Sequence, residues 1–241
     1  MTGRRVRPWV ARAVLVGMLP FLAAGEARAQ VGGSVSVQSD HRFRGLSLSD
    51  GHPSARLTLS LDHASGWYAG ASVAGVRVQG EQRPQWLLYG GRAARLGGSL
   101  AWDAGATAVH VAGSAGTDYA ELYAGLVGDR WTARVHFSPE YYGRSERTLY
   151  AEVNAALPLP ARWRLFGHAG ALARLDAAGR GNGRRARADL RAGVAAGFEA
   201  WDVQLAWVGV QRDASSGYYA PAYGESAPDR SAVVLGVSCA F

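Results

Sequence analysis

From about residue 33 to the final residue, apolar and polar side chains alternate with a period of two, and no stretch shows the 3.6-residue period of a helix. Successive side chains of a strand point to opposite faces, so this pattern calls for sheet with one apolar and one polar face. In Trp131–Ser138, Trp131, Ala133, Val135 and Phe137 share one face, and Thr132, Arg134, His136 and Ser138 share the other. Leu57, Leu59 and Leu61 oppose Arg56, Thr58, Ser60 and Asp62 in the same way, and Leu190, Ala192 and Val194 oppose Asp189, Arg191 and Gly193. Turn residues divide the alternation into about twelve strands, over roughly 33–41, 54–63, 67–79, 85–96, 99–110, 118–128, 130–138, 147–157, 162–173, 187–199, 201–211 and 231–241. Connections after the even strands are short, as in Ala64-Ser65-Gly66 and Gly128-Asp129. Those after the odd strands are mostly long and polar, as in 42–53, 175–186 and 212–230. Short turns at one end and long loops at the other are the pattern of a transmembrane barrel, with the short turns and both termini in the periplasm.

Tryptophan placement separates this barrel from a soluble sandwich. Trp67, Trp102, Trp131, Trp163 and Trp201 each stand at or near the start of a strand that follows a short turn, with spacings of 35, 29, 32 and 38 residues, the length of one hairpin. Alternation puts all of them on the apolar face, where they form an aromatic girdle at the headgroup level. The apolar face of a sandwich would be its core, and core tryptophans have no reason to gather at one end of alternate strands. The last strand places Val233, Leu235, Val237, Cys239 and Phe241 on one face, and its aromatic end resembles the signal by which outer-membrane barrels are recognised by the insertion machinery. The expected fold is an all-β, single antiparallel up-and-down barrel in the outer membrane of a Gram-negative bacterium.

Composition fits this frame. With 48% hydrophobic and 19% charged residues the chain is not disordered, and after the first two dozen residues no apolar run is long enough for a spanning helix. The single cysteine excludes an intrachain disulfide framework and a Cys-based zinc cluster. Arg4, Arg5, Arg7 and Arg12 precede an apolar stretch from Ala13 to Ala24 and an Ala27-Arg28-Ala29 cleavage site. This is the layout of a secretory signal peptide over residues 1–29, with the barrel over 30–241. Its removal takes away five arginines and one glutamate and brings the net charge from +7 to +3, so the basicity gives no support to a nucleic-acid partner. The remaining basic run, Arg180 to Arg187, reads as a solvated loop.

The segment Ser39-Asp40-His41-Arg42-Phe43-Arg44-Gly45-Leu46-Ser47-Leu48-Ser49-Asp50-Gly51-His52-Pro53, followed by His63-Ala64-Ser65-Gly66-Trp67-Tyr68-Ala69-Gly70, resembles the start of the TorF family of porins. That family has a stretch close to S-D-Y-R-F-R-G-x-S-Q-S-D-x-x-P before an H-x-S-G-aromatic-Y-x-G turn. His41 stands where the family usually has Tyr, and Leu48 where it usually has Gln. The resemblance implies a porin-like outer-membrane protein and names no solute.

Candidate functional residues are the charges on the polar, inward face. The acids are Asp62, Asp103, Glu121, Glu152 and Asp189; the arginines are Arg56, Arg134, Arg164 and Arg191. About twelve strands give a barrel wider than an eight-stranded one, which side chains fill, and narrower than a sixteen-stranded porin. A channel for small polar solutes, including anionic or zwitterionic ones, would have these rows as its lining. The alternative is that they pair across the lumen and close it, leaving a structural or surface-interaction protein. The first long loop, with Arg42, Arg44 and Asp50, is either an inward constriction or an extracellular cap. The aromatic loop Tyr218–Tyr223 reads as part of a surface girdle or a ring-stacking surface. A lipid hydrolase would need a Ser/His pair near the outer rim, for which His110 with Ser114 and His136 with Ser138 are the candidates. Neither pair sits in a known motif, and a non-enzymatic protein without cofactor or metal is expected. Its partners would be outer-membrane lipid, the insertion machinery and small solutes; nothing fixes an oligomeric state.

Overall fold

The structure is a computed structural model and describes residues 29–114, 116–143, 146–175, 186–211 and 231–241. Residues 1–28 of the segment read as a signal peptide, the Tyr218–Tyr223 loop and residues 180–185 of the basic run lie outside the described residues.

The alternating segments form strands with near-expected bounds. In chain order they are β1 (Ala29–Gln38), a small ribbon of β2 (Arg42–Phe43) and β3 (Leu46–Ser47), β4 (Ser54–His63), β5 (Trp67–Val78), β6 (Glu81–Gly97) and β7 (Leu100–Val111). They continue with β8 (Tyr119–Val127), β9 (Trp131–Ser138), β10 (Thr148–Pro158), β11 (Trp163–Arg174), β12 (Ala186–Phe198), β13 (Trp201–Val210) and β14 (Ala232–Ala240). All but β2 and β3 join into one closed barrel in which each wall strand pairs antiparallel with its sequence neighbour. The seam is β1 against β14, in register from Ser34↔Ala240 to Gln38↔Gly236. It is completed by the Gly33 N–H donating to the Phe241 carbonyl and the Phe241 N–H to that of Gly33, at 3.0 and 2.9 Å. The Phe241 ring lies on Gly33, where a Cβ would overlap it. Closure leaves no strand edge unpaired, the condition for backbone in hydrocarbon.

The outer surface carries Val35, Leu57, Leu59, Val153, Leu165, Leu190, Leu205 and Leu235, all exposed. A band of such side chains around a barrel exterior matches lipid, not water. Trp67, Trp131, Trp163, Trp201 and Phe241 stand exposed on that surface beside the short turns or the seam, and Trp102 is half-buried on the same face. Trp86 on β6 and Trp207 on β13 also face outward, toward the long-loop end. They lie inside their strands and so escape the pattern of strand-starting tryptophans.

Two boundaries differ from expectation. The first strand spans 29–38, not 33–41, because the chain leaves the wall at Ser39 and enters the barrel. The β5–β6 connection at the long-loop end is the two-residue turn Gln79-Gly80, with φ of 53° and 83°, so β6 begins at Glu81 and not at 85. Pro84 is tolerated within β6 because its ring nitrogen faces β7 just beyond the last regular pair, Gln85↔Val111; its carbonyl accepts from the Ala112 N–H at 3.1 Å.

Candidate functional site

Strand alternation sends one set of side chains into the barrel, and the contents change along its length. At the short-turn end they are polar. Asp62 is exposed at the mouth. Arg134 Nη2 donates to Asp103 Oδ2 at 2.6 Å, and the Tyr68 and Tyr123 hydroxyls meet at 2.6 Å above that pair. Arg164 donates to both Asp202 carboxylate oxygens at 2.5 and 2.9 Å. Arg191 donates to Gln204 Oε1 at 3.0 Å and lies over the Phe166 ring.

At the long-loop end the interior is apolar. Val76, Val78, Val109, Val111, Tyr119, Tyr150 and Leu172 point inward and pack against Leu46 and Leu48 of the first loop and Tyr141 and Tyr142 of a 3-10 turn between β9 and β10. The first loop therefore enters the barrel. The β2–β3 ribbon turns at Arg44-Gly45, both with positive φ; a Cβ on Gly45 would come within 2.9 Å of the Asp189 and Val210 side chains. The Arg44 guanidinium donates to both Glu121 oxygens at 2.8 and 2.7 Å and to the Tyr141 hydroxyl at 3.2 Å, and it covers the Tyr150 ring at 3.9 Å. Arg187 Nη2 donates to the Arg44 carbonyl at 3.2 Å. At the base of the loop, Asp40 accepts from Arg42 Nε at 2.6 Å and from the Ser47 and Ser49 hydroxyls. His41 meets Arg56 Nη2 at 2.9 Å. Burial, and then the neighbouring Arg56 charge, push the His41 pKa down to about 3, so its ring accepts from the guanidinium as a neutral imidazole.

Between these ends a row of acids and imidazoles crosses five neighbouring strands, β8 to β12. Glu121 lies 3.6 Å from His136, His136 lies 3.3 Å from Glu152, Glu152 lies 3.8 Å from His168, and His168 lies 2.9 Å from Asp189. The row borders a cavity of about 560 Å³ that runs from Phe43, Arg44 and Gly45 of the loop to the short turn at Gly128–Thr132. Arg42 also lines it, while Asp50 sits at the outer turn of the loop, where its carbonyl meets the His52 ring at 2.8 Å.

Of the charges named from the sequence, Glu121, Glu152, Asp189 and Arg191 line the cavity, Asp103, Arg134 and Arg164 form ion pairs nearer the short turns, Arg56 meets His41, and Asp62 is exposed. Arg187 corrects the reading of the basic run as a solvated loop. Two residues before Asp189 on β12, it shares the inward face and is buried under the loop. The hydrolase pairs are not assembled: His110 faces outward and bonds Asp118 at 2.9 Å, and Ser138 donates to the Ala120 carbonyl at 2.8 Å while His136 bonds Glu152. His41 and His52 have separate partners. Among the described residues, no three His, Cys, Asp or Glu side chains are grouped to hold a metal ion. His136 as a lumen residue and the aromatic packing of Tyr119, Tyr141 and Tyr150 were not singled out by sequence, although His136 and Tyr150 lie on polar faces by simple alternation.

A family model described as "Bacterial protein of unknown function (Gcw_chp)" matches residues 23–241, and the chain belongs to that family. No curated protein matches it in sequence. Among solved structures it is similar to the NanC porin, with 10% identity, coverage of 88% of this chain and 99% of that one, and a TM-score of 0.55. It is also similar to the KdgM porin, with 10% identity, coverage of 89% and 99%, and a TM-score of 0.51. The fold is that of bacterial outer-membrane barrels.

Proposed function

We propose that this barrel is a passive outer-membrane channel for small hydrophilic solutes, with the 39–53 loop as its constriction. The observation that carries the reading is the cavity of about 560 Å³ between that loop and the short-turn end, bordered by charged as well as apolar side chains and of a size in the range of small-molecule sites. Arg42 and Arg44 present the loop to this space, and Glu121, Glu152, Asp189 and Arg191 supply charges on its wall, while Arg56, Asp62, Asp103, Arg134 and Arg164 lie outside its lining. Arg191, which bonds an amide, stands beside Glu152 and Asp189, so this space carries charges of both signs, which suits zwitterionic solutes and, once the acids are balanced, anionic ones. The resemblance of residues 39–70 to the TorF porins and the porin names of the two structural neighbours support the same reading. Outward Trp67, Trp102, Trp131, Trp163, Trp201 and Phe241 would anchor the barrel at the inner headgroup level. The reading calls for no cofactor and no chemical step.

The competing reading, a closed barrel with a structural or surface-interaction role, draws on the apolar packing of the loop's Leu46 and Leu48 against the wall. Planar-bilayer recording decides between them. Stepwise currents from the purified protein support the channel; silence after confirmed insertion overturns it in favour of the closed barrel. Phospholipid turnover lost on changing His110 or His136 would instead establish a hydrolase.

A further inference from the structure

The row Glu121, His136, Glu152, His168, Asp189 lines the cavity, yet a passive sieve has no use for two imidazoles set between carboxylates. His136 Nε2 lies 3.3 Å from Glu152 and its Nδ1 3.6 Å from Glu121, and Nδ1, though buried, has no hydrogen-bond partner. His168 has Nδ1 2.8 Å from Asn154 Oδ1 and Nε2 2.9 Å from Asp189 Oδ1, an oxygen at each nitrogen. A neutral ring donates from one nitrogen only, and an imidazolium from both, so each ring sits in a frame that a second proton completes.

The surrounding charges make that proton consequential. Facing His136 are Glu121 and Tyr123 from β8, Tyr150 and Glu152 from β10, Arg134 on its own strand, and Arg44 of the loop through Glu121. Facing His168 are Tyr150, Glu152 and Asn154 from β10 and Asp189 and Arg191 from β12, with Arg164 further along its own strand. Arg44 neutralises Glu121 and Arg187 lies buried under the loop outside the cavity lining, so with neutral rings the lining keeps Glu152 and Asp189 as negative charges beside Arg191. Two imidazolium charges would balance them and leave Arg191 to set the sign. Imidazole is the side chain whose charge changes between about pH 5 and 8.

We propose that His136 and His168 are specificity-determining residues that set the charge preference of the lumen through their protonation, so that acidification turns it from cations toward anions. This rests on the channel reading. The test is the reversal potential of the purified barrel in a planar bilayer under a KCl gradient, at pH 8 and pH 5. The permeability ratio of potassium to chloride is expected to fall severalfold on acidification, and the fall is expected to vanish in the His136→Gln/His168→Gln double variant while conductance at pH 8 is retained. A constant ratio in the native protein, or the same fall in the double variant, overturns the proposal. Inserted protein that carries no current instead overturns the channel reading. The histidine ring resonances in micelles give a second check: both rings must gain a proton between pH 8 and pH 5, and rings that keep one charge state across that range overturn the proposal.

Discussion

Along β5 the inward side chains run Tyr68, Gly70, Ser72, Ala74, Val76 and Val78, while the outward ones run Trp67, Ala69, Ala71, Val73, Gly75 and Arg77. The polarity of the two faces inverts within a single strand. On β7, Asp103 and Thr107 face inward below Val109 and Val111, while outward Ala104 to Ala108 give way to an exposed His110. Below the inversion the strands are a membrane wall, apolar toward lipid and polar within. Above it, β5 and β7 turn Arg77 and His110 outward and pack Val76, Val78, Val109 and Val111 inward around Leu46 and Leu48. The comparison teaches that alternation fixes which side chains face inward but leaves their chemistry to whatever fills the interior at that height.

The largest expected effect follows from unlocking the upper half. Arg44→Ala leaves the Glu121 carboxylate buried without its guanidinium, a change that costs about 3–5 kcal/mol, read as a lowered urea midpoint in bilayers, and loop release should raise single-channel conductance. Pairing Arg44→Met with Glu121→Leu should recover most of the stability, because no buried charge is then left alone. Next comes the membrane wall. Leu59→Arg on the outer face should cost about 2–4 kcal/mol, and Thr58→Arg, next to it but facing inward, much less; equal costs would contradict the assignment of faces. Gly45→Val strains a residue at φ of 79° and crowds Asp189 and Val210, and should loosen the loop by about 1–3 kcal/mol without moving the lower lumen. Near neutral pH the smallest is a pH effect, no more than about tenfold at pH 5.5. His41 is held neutral when docked, whereas a released loop takes up a proton below about pH 6.5. Docking should therefore weaken by up to about tenfold for each unit from there toward pH 3, seen as faster proteolysis after Arg42, and His41→Gln should abolish the dependence.

The wall was legible because lipid imposes one rule on every outward position: Leu57, Leu59, Val153 and Leu205 could be assigned a face from spacing alone, and the strand-starting tryptophans marked the height. The loop was not, because its signal is short. Leu46-Ser47-Leu48-Ser49 alternates like a strand, but the same four residues would suit a polar cap equally, and only their contact with Val76, Val111 and Leu172 decides. The inversion on β5 was visible as Val76-Arg77-Val78, an apolar-polar-apolar run out of phase with Trp67 to Val73. The acid and imidazole row was beyond reach. Glu121, Glu152 and Asp189 were candidates one by one, but the meeting of the row depends on the stagger of five strands; His136, for example, stands opposite Tyr150 while its ring bonds Glu152 one pair further along.

The tight turn at Gln79-Gly80 gives the mouth a lopsided outline. The β5–β6 hairpin rises as a stiff, loop-free post on one side, and Gly80 meets nothing within 4 Å of where a side chain would begin. That makes the tip of the hairpin a natural place to splice in an epitope or a fluorophore site, displaying it on the bacterial surface while the seam, the loop and the lumen stay as they are.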